Sequence, residues 1–71
     1  MTASRLTNTL KVQRAMHDLT QADVAHRIGV TRKSINSIEK GHFVPSTELA
    51  LRLARLFGVS VETLFQLTDE S

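Results

Sequence analysis

Leu19-Thr20-Gln21-Ala22-Asp23-Val24-Ala25-His26-Arg27-Ile28-Gly29-Val30-Thr31-Arg32-Lys33-Ser34-Ile35-Asn36-Ser37-Ile38-Glu39-Lys40-Gly41 holds two amphipathic stretches parted by a break at Gly29-Val30-Thr31. Glycine takes the left-handed conformation that closes a helix, so Gly29 and Gly41 mark two C-termini. Thr20 and Thr31 stand where an N-cap hydroxyl accepts from the unpaired N–H groups of a first turn. Leu19 with Val24, and Val30 with Ile35, have the spacing of a hydrophobic staple. In the second stretch, at about 100° per residue, Ile35, Ile38 and the small Ser34 share one side. Starting from Arg32, the opposite arc holds Asn36, Lys40, Lys33 and Ser37. A rod of about nine residues is ~14 Å long at ~1.5 Å per residue. It buries two isoleucines and offers cations, an amide and a hydroxyl outward.

Punctuation of the same kind continues outward. Gly58 closes a further stretch, Ser46 (after Pro45) and Ser60 supply N-caps, and Val59 with Leu64 forms a third staple. The predicted helices cover roughly 5–17, 21–28, 32–40, 47–57 and 61–67. Sustained apolar–polar alternation and Asn-Gly or Asp-Gly turns are missing, so no strand is predicted. The expected fold class is all-α: five compact helices in a single domain over residues 1–71. Met1–Ser4 and Thr68–Ser71 read as frayed ends. In the fourth helix Leu49, Ala50, Leu53, Ala54, Leu56 and Phe57 gather opposite Glu48, Arg52 and Arg55. Leu51 falls off that stripe and is a candidate second contact surface. A solvated helix face would account for the polar arc of residues 32–40 equally well. The short turn joining it to the helix before favours a helix-turn-helix at about 21–40.

Composition narrows the function classes. The chain has 71 residues, 41% hydrophobic and 23% charged, as a small globular domain does. No apolar run approaches the ~18–20 residues of a membrane span, and no secretory signal opens the chain. Without cysteine there is no disulfide framework, thiolate zinc site or cysteine nucleophile. A cytoplasmic location is expected. Net charge is +2, unevenly placed. Arg5, Lys11, Arg14, Arg27, Arg32, Lys33 and Lys40 outnumber Asp18, Asp23 and Glu39 up to residue 41. Beyond it, Glu48, Glu62, Asp69 and Glu70 outnumber Arg52 and Arg55. A basic N-terminal half suits a polyanion, though an ordinary mixed surface has the same arithmetic. His17, His26 and His42 lack ligand spacing, so no metal or other cofactor is expected. Five short helices around a thin core leave little room for a catalytic pocket, and no enzyme activity is expected.

The outward arc has the chemistry of a DNA reader. A major groove about 12 Å wide admits one helix, where Arg and Lys donate to guanine and Asn pairs with adenine. Gln21 and Thr31, at the N-termini of two helices, can join backbone N–H groups in holding phosphates. The run Leu19–Gly41 resembles the helix-turn-helix of lambda-repressor-like, Cro-type transcriptional regulators (the Xre group). The likeness continues through Pro45-Ser46, Glu48-Leu49-Ala50-Leu51 and Phe57-Gly58-Val59-Ser60-Val61, and so covers nearly the whole chain.

The resemblance implies roles residue by residue. Arg32, Lys33 and Ser37 match base-reading positions, and Asn36 on the same face is a further base contact. Gln21 matches a glutamine that grips a phosphate and can brace the start of the recognition helix; Thr31 and Lys40 match phosphate contacts. Arg14 and Glu39 match a buried ion pair tying the first helix to the recognition helix. Three positions depart from the pattern. Gln13 replaces an apolar residue, and His42 and Val44 stand where basic and amide side chains are common, which implies fewer phosphate contacts after Gly41.

The expected function is a sequence-specific transcriptional regulator, a repressor binding double-stranded DNA at a palindromic operator. An antitoxin or helical protein-interaction module of the same fold is the alternative, although the short stretch after Leu67 offers little to wrap a partner. No small-molecule ligand is expected. A core this small supplies only about 3–5 kcal/mol, which makes a homodimer attractive. Val61, Leu64, Phe65 and Leu67 crowd the last helix: Val61 and Leu64 are assigned to the core, Phe65 and Leu67 to the dimer interface.

Overall fold

A computed structural model describes residues 6–68. The elements run β1 (Leu6–Asn8), α1 (Leu10–Met16), α2 (Gln21–Ile28), α3 (Arg32–Glu39), α4 (Thr47–Phe57), α5 (Val61–Leu64) and β2 (Phe65–Leu67). Four of the five helices start where the caps placed them. Thr20, Thr31, Ser46 and Ser60 each accept a backbone N–H three residues on, from Asp23, Ser34, Leu49 and Thr63. In α2 the cap is reciprocal: Asp23 Oδ2 accepts the Thr20 N–H at 3.0 Å, and Thr20 Oγ1 accepts the Asp23 N–H at 3.0 Å. Gly29 and Gly58 close α2 and α4 in the left-handed conformation, at φ 81° and 68°. Leu19, Val30 and Val59, the outer halves of the three staples, pack partly buried against the core.

The chain ends differ from the helical expectation. Instead of a helix starting near residue 5, Leu6–Asn8 pairs antiparallel with Phe65–Leu67, matching Leu6 to Leu67 and Asn8 to Phe65. The last helix accordingly stops at Leu64. Asn8 explains the late start of α1, because its Oδ1 accepts the Leu10 N–H at 3.1 Å and so replaces an upstream helical carbonyl. Thr9 secures the junction, donating its N–H to the Leu64 carbonyl at 2.8 Å and its hydroxyl to Thr63 O at 2.7 Å. Strands this short pair through backbone atoms far apart in the chain and leave no readable alternation. Met1–Ser4, Arg5 and Asp69 to Ser71 lie outside the described residues, and with them most of the ends expected to fray.

The core joins every helix: Leu10, Val24, Ile35, Ile38, Leu53, Phe57 and Leu64 are buried together. Phe65 belongs to it as well, and this corrects its assignment to an interface. It is only 8% exposed, because β2 turns it beneath the protein's own core, whereas Leu67 is 78% exposed. Val61 lies half-buried against the core. Gln13 occupies the inward side of α1 and Val12 the outward one. Among the described residues the Gln13 Oε1 is buried without a hydrogen-bond partner. Such an orphan costs about 1–3 kcal/mol, which an apolar residue there would avoid.

Candidate nucleic-acid interface

The α3 rod is fully committed on its inner side. Ile35 and Ile38 are buried, and Arg32, Lys33 and Lys40 are exposed, with Asn36 and Ser37 at the half-buried margin. All five polar residues predicted for the outward arc stand clear of the core. Helix α2 packs against α3 more extensively than any other pair of elements does. The turn between them is held by Gly29 and Val30, whose N–H groups both reach the Ala25 carbonyl.

One carboxylate fixes the orientation of the face. Arg14 donates from Nε to Glu39 Oε2 at 2.5 Å and from Nη2 to Oε1 at 3.1 Å, a two-pronged pair joining α1 to α3. The side chains are 15% and 8% exposed, so the pair is shielded from solvent, and the hydrogen bond to Glu39 raises the Arg14 pKa above its ordinary value. Arg14 also donates from Nη1 to the Leu19 carbonyl at 3.0 Å, pinning the loop before α2.

Gln21 extends this cluster to the reading face. Its Nε2 donates to Glu39 Oε1 at 3.0 Å and to Asn36 Oδ1 at 3.1 Å. A carboxylate only accepts, so Glu39 dictates which end of the Gln21 amide faces it. The Gln21 Oε1 is thereby turned toward Arg32 Nη1 at 3.4 Å. Asn36 is oriented in its turn, with its Nδ2 hydrogens and one Oδ1 lone pair left over. Those are the two groups a bidentate contact to adenine uses. Gln21 thus touches the start of α3 at Arg32, and its two shorter bonds reach further along the helix than expected, to Asn36 and Glu39. The Thr31 hydroxyl caps α3 and lies 3.0 Å from Ser34 Oγ.

Two residues at the margins escaped the sequence reading. Asn8 donates from Nδ2 to the Ile38 carbonyl at 3.0 Å and so ties the end of α3 to β1. The Asn-Thr-Leu order before a helix is the only local sign of it. Phe43, in the loop after α3, is large and apolar yet 46% exposed beside the polar arc. Its chain position carried no periodicity from which a face could be assigned. Among the described residues, no group of three or more His, Asp or Glu side chains could hold a metal ion, and no helix is long and apolar enough to cross a membrane.

These caps, the α2–turn–α3 pair and the surrounding helices define a class. A helix-turn-helix family model matches residues 10–64, and the chain belongs to the Cro/C1-type helix-turn-helix family. An uncharacterized HTH-type transcriptional regulator of Methanocaldococcus jannaschii is 48% identical over 63 residues, covering 89% of this chain and 96% of that protein. Another, of Bacillus subtilis, is 38% identical over 64 residues, covering 90% and 97%. Among solved structures, the SOS-response transcriptional repressor LexA from Eubacterium rectale superposes with a TM-score of 0.74 at 26% identity, over 87% of this chain and 66% of that one. A Bacteroides fragilis protein shares the fold with a TM-score of 0.78 at 23% identity, over 86% and 98%.

Proposed function

We propose that this protein is a sequence-specific transcriptional regulator of the cytoplasm that binds double-stranded DNA and represses from a palindromic operator. Residues 1–71 form one DNA-binding domain in this reading, with no catalysis. The observation that carries it is the division of α3: isoleucines inward, and a polar arc outward that Glu39 and Gln21 orient from behind. Arg32, Lys33, Asn36 and Ser37 take base edges in the major groove, while Thr31, Lys40 and the backbone N–H of Gln21 at the start of α2 hold phosphates on either side, the Gln21 side chain being given to Glu39 and Asn36. Names given to the relatives, transcriptional regulators in each case, support the same assignment.

A homodimer completes the proposal. Leu67 is exposed on β2, a strand that has β1 as its one strand neighbour among the described residues. An open edge with an apolar side chain is a ready pairing surface. Two copies related by a two-fold axis place their recognition helices on half-sites about 34–36 Å apart. Selection of bound sequences from random duplex DNA tests the whole reading: a palindromic consensus is expected. Recovery of no enriched sequence would remove the sequence-specific role.

A further inference from the structure

The loop that follows α3 contributes to the reading surface through a residue with no charge. Gly41 donates its N–H to the Ile38 carbonyl at 3.0 Å, and His42 donates to Ser37 O at 2.9 Å, so the chain leaves α3 by a pinned, left-handed turn at φ 79°. That turn carries Phe43 to a place between two concavities. On the inner side it lines a recess of about 10 Å³ with Ile38, Pro45 and Phe65, too small to admit the ring further. On the outer side it lines an open groove of about 370 Å³ with Lys33, Ser37 and His42. Nearly half of the residue therefore stays in solvent, with its base fixed and its apolar surface facing the space that two base-reading candidates share.

We propose that Phe43 is a specificity-determining residue that packs on the 5-methyl group of a thymine beside the base pair facing Ser37. This rests on the DNA-binding reading above. Of the groups a base pair displays in the major groove, the thymine methyl is the apolar one, and apolar side chains recognise it. Phosphate contact is a poor alternative for an uncharged ring. Lys33 and Ser37 line the same groove, so a base edge entering to meet them also comes against Phe43.

Deoxyuridine differs from thymidine only by that methyl, which makes it the probe. Each thymine of the selected operator is replaced in turn by deoxyuridine, and the affinity of the full chain is measured. One thymine per half-site should show a loss of about fourfold, the value of burying one methyl-sized group. Phe43→Leu should keep that loss, and Phe43→Ala should bind the thymine and deoxyuridine operators equally. Phe43→Ala should also leave the salt dependence unaltered, since no phosphate is released. Thermal melts establish that both variants are folded. A flat scan with the unaltered protein, or the same loss in Phe43→Ala, overturns the role of Phe43 while leaving DNA binding intact. Failure to bind any duplex overturns both.

Discussion

Arg32 and Asn36 differ from Lys40 in what their loss should do to a bound duplex. Arg32 and Asn36 are both joined to Gln21, so each presents its donors in a held direction. A directed group discriminates between bases, whereas Lys40, beyond the last turn of α3, carries an exposed charge on a long, rotatable stem. Replacing Arg32 or Asn36 by Ala should cost about 1–3 kcal/mol and relax preference at one base pair. Titration of operator variants checks it; an equal loss on all of them would contradict base reading. Lys40→Ala should weaken binding evenly and lower the salt slope by about one. An unchanged slope would take Lys40 out of the phosphate set.

Between helices, the Arg14–Glu39 pair has the largest expected effect. Removing one partner strands a shielded charge, at about 3–5 kcal/mol. That is comparable with everything a core of this size supplies, roughly 3–5 kcal/mol. Arg14→Ala or Glu39→Ala should therefore be largely unfolded at room temperature by circular dichroism. A melting curve like that of the unaltered protein would show the pair to be decorative. The α2 cap predicts a pH effect. The backbone N–H and hydroxyl of Thr20 hold the Asp23 carboxyl below the usual carboxylate range. The folded value is the depressed one, so this stabilisation is complete above the ordinary pKa of about 4 and fades as pH falls through the folded value. Asp23→Asn should melt below the unaltered protein at neutral pH. The gap should narrow in acid; a gap just as wide there would rule out the carboxylate as its source.

For the molecule as a whole, association depends on which apolar side chains stay exposed. Leu67→Ser changes an exposed side chain and should shift sedimentation toward monomer, lowering the melting temperature only by what association adds at that protein concentration. An unaltered mass would place the dimer contact elsewhere. Phe65→Ala should do the opposite, losing about 3–5 kcal/mol of stability because the ring is buried within one copy. The two were indistinguishable as apolar residues of a predicted helix. Residues two apart on a strand share a side, so what parts them is position along β2: Phe65 follows α5 directly at the core, and Leu67 lies at the far end of the strand.

Caps, glycine stops and 3.6-residue periodicity are local properties, set within a few residues of chain. They alone determined four N-caps, the left-handed glycines and the inward isoleucines of α3. Arg14 and Glu39 could be paired in advance only through resemblance, since nothing local joins residues so far apart. The bond from Gln21 to Asn36, the hold of Asn8 on Ile38, the β1–β2 pairing and the half-exposed seat of Phe43 were decided by tertiary structure. Each joins parts of the chain whose distance depends on how the helices pack, and packing is a property of the assembled core.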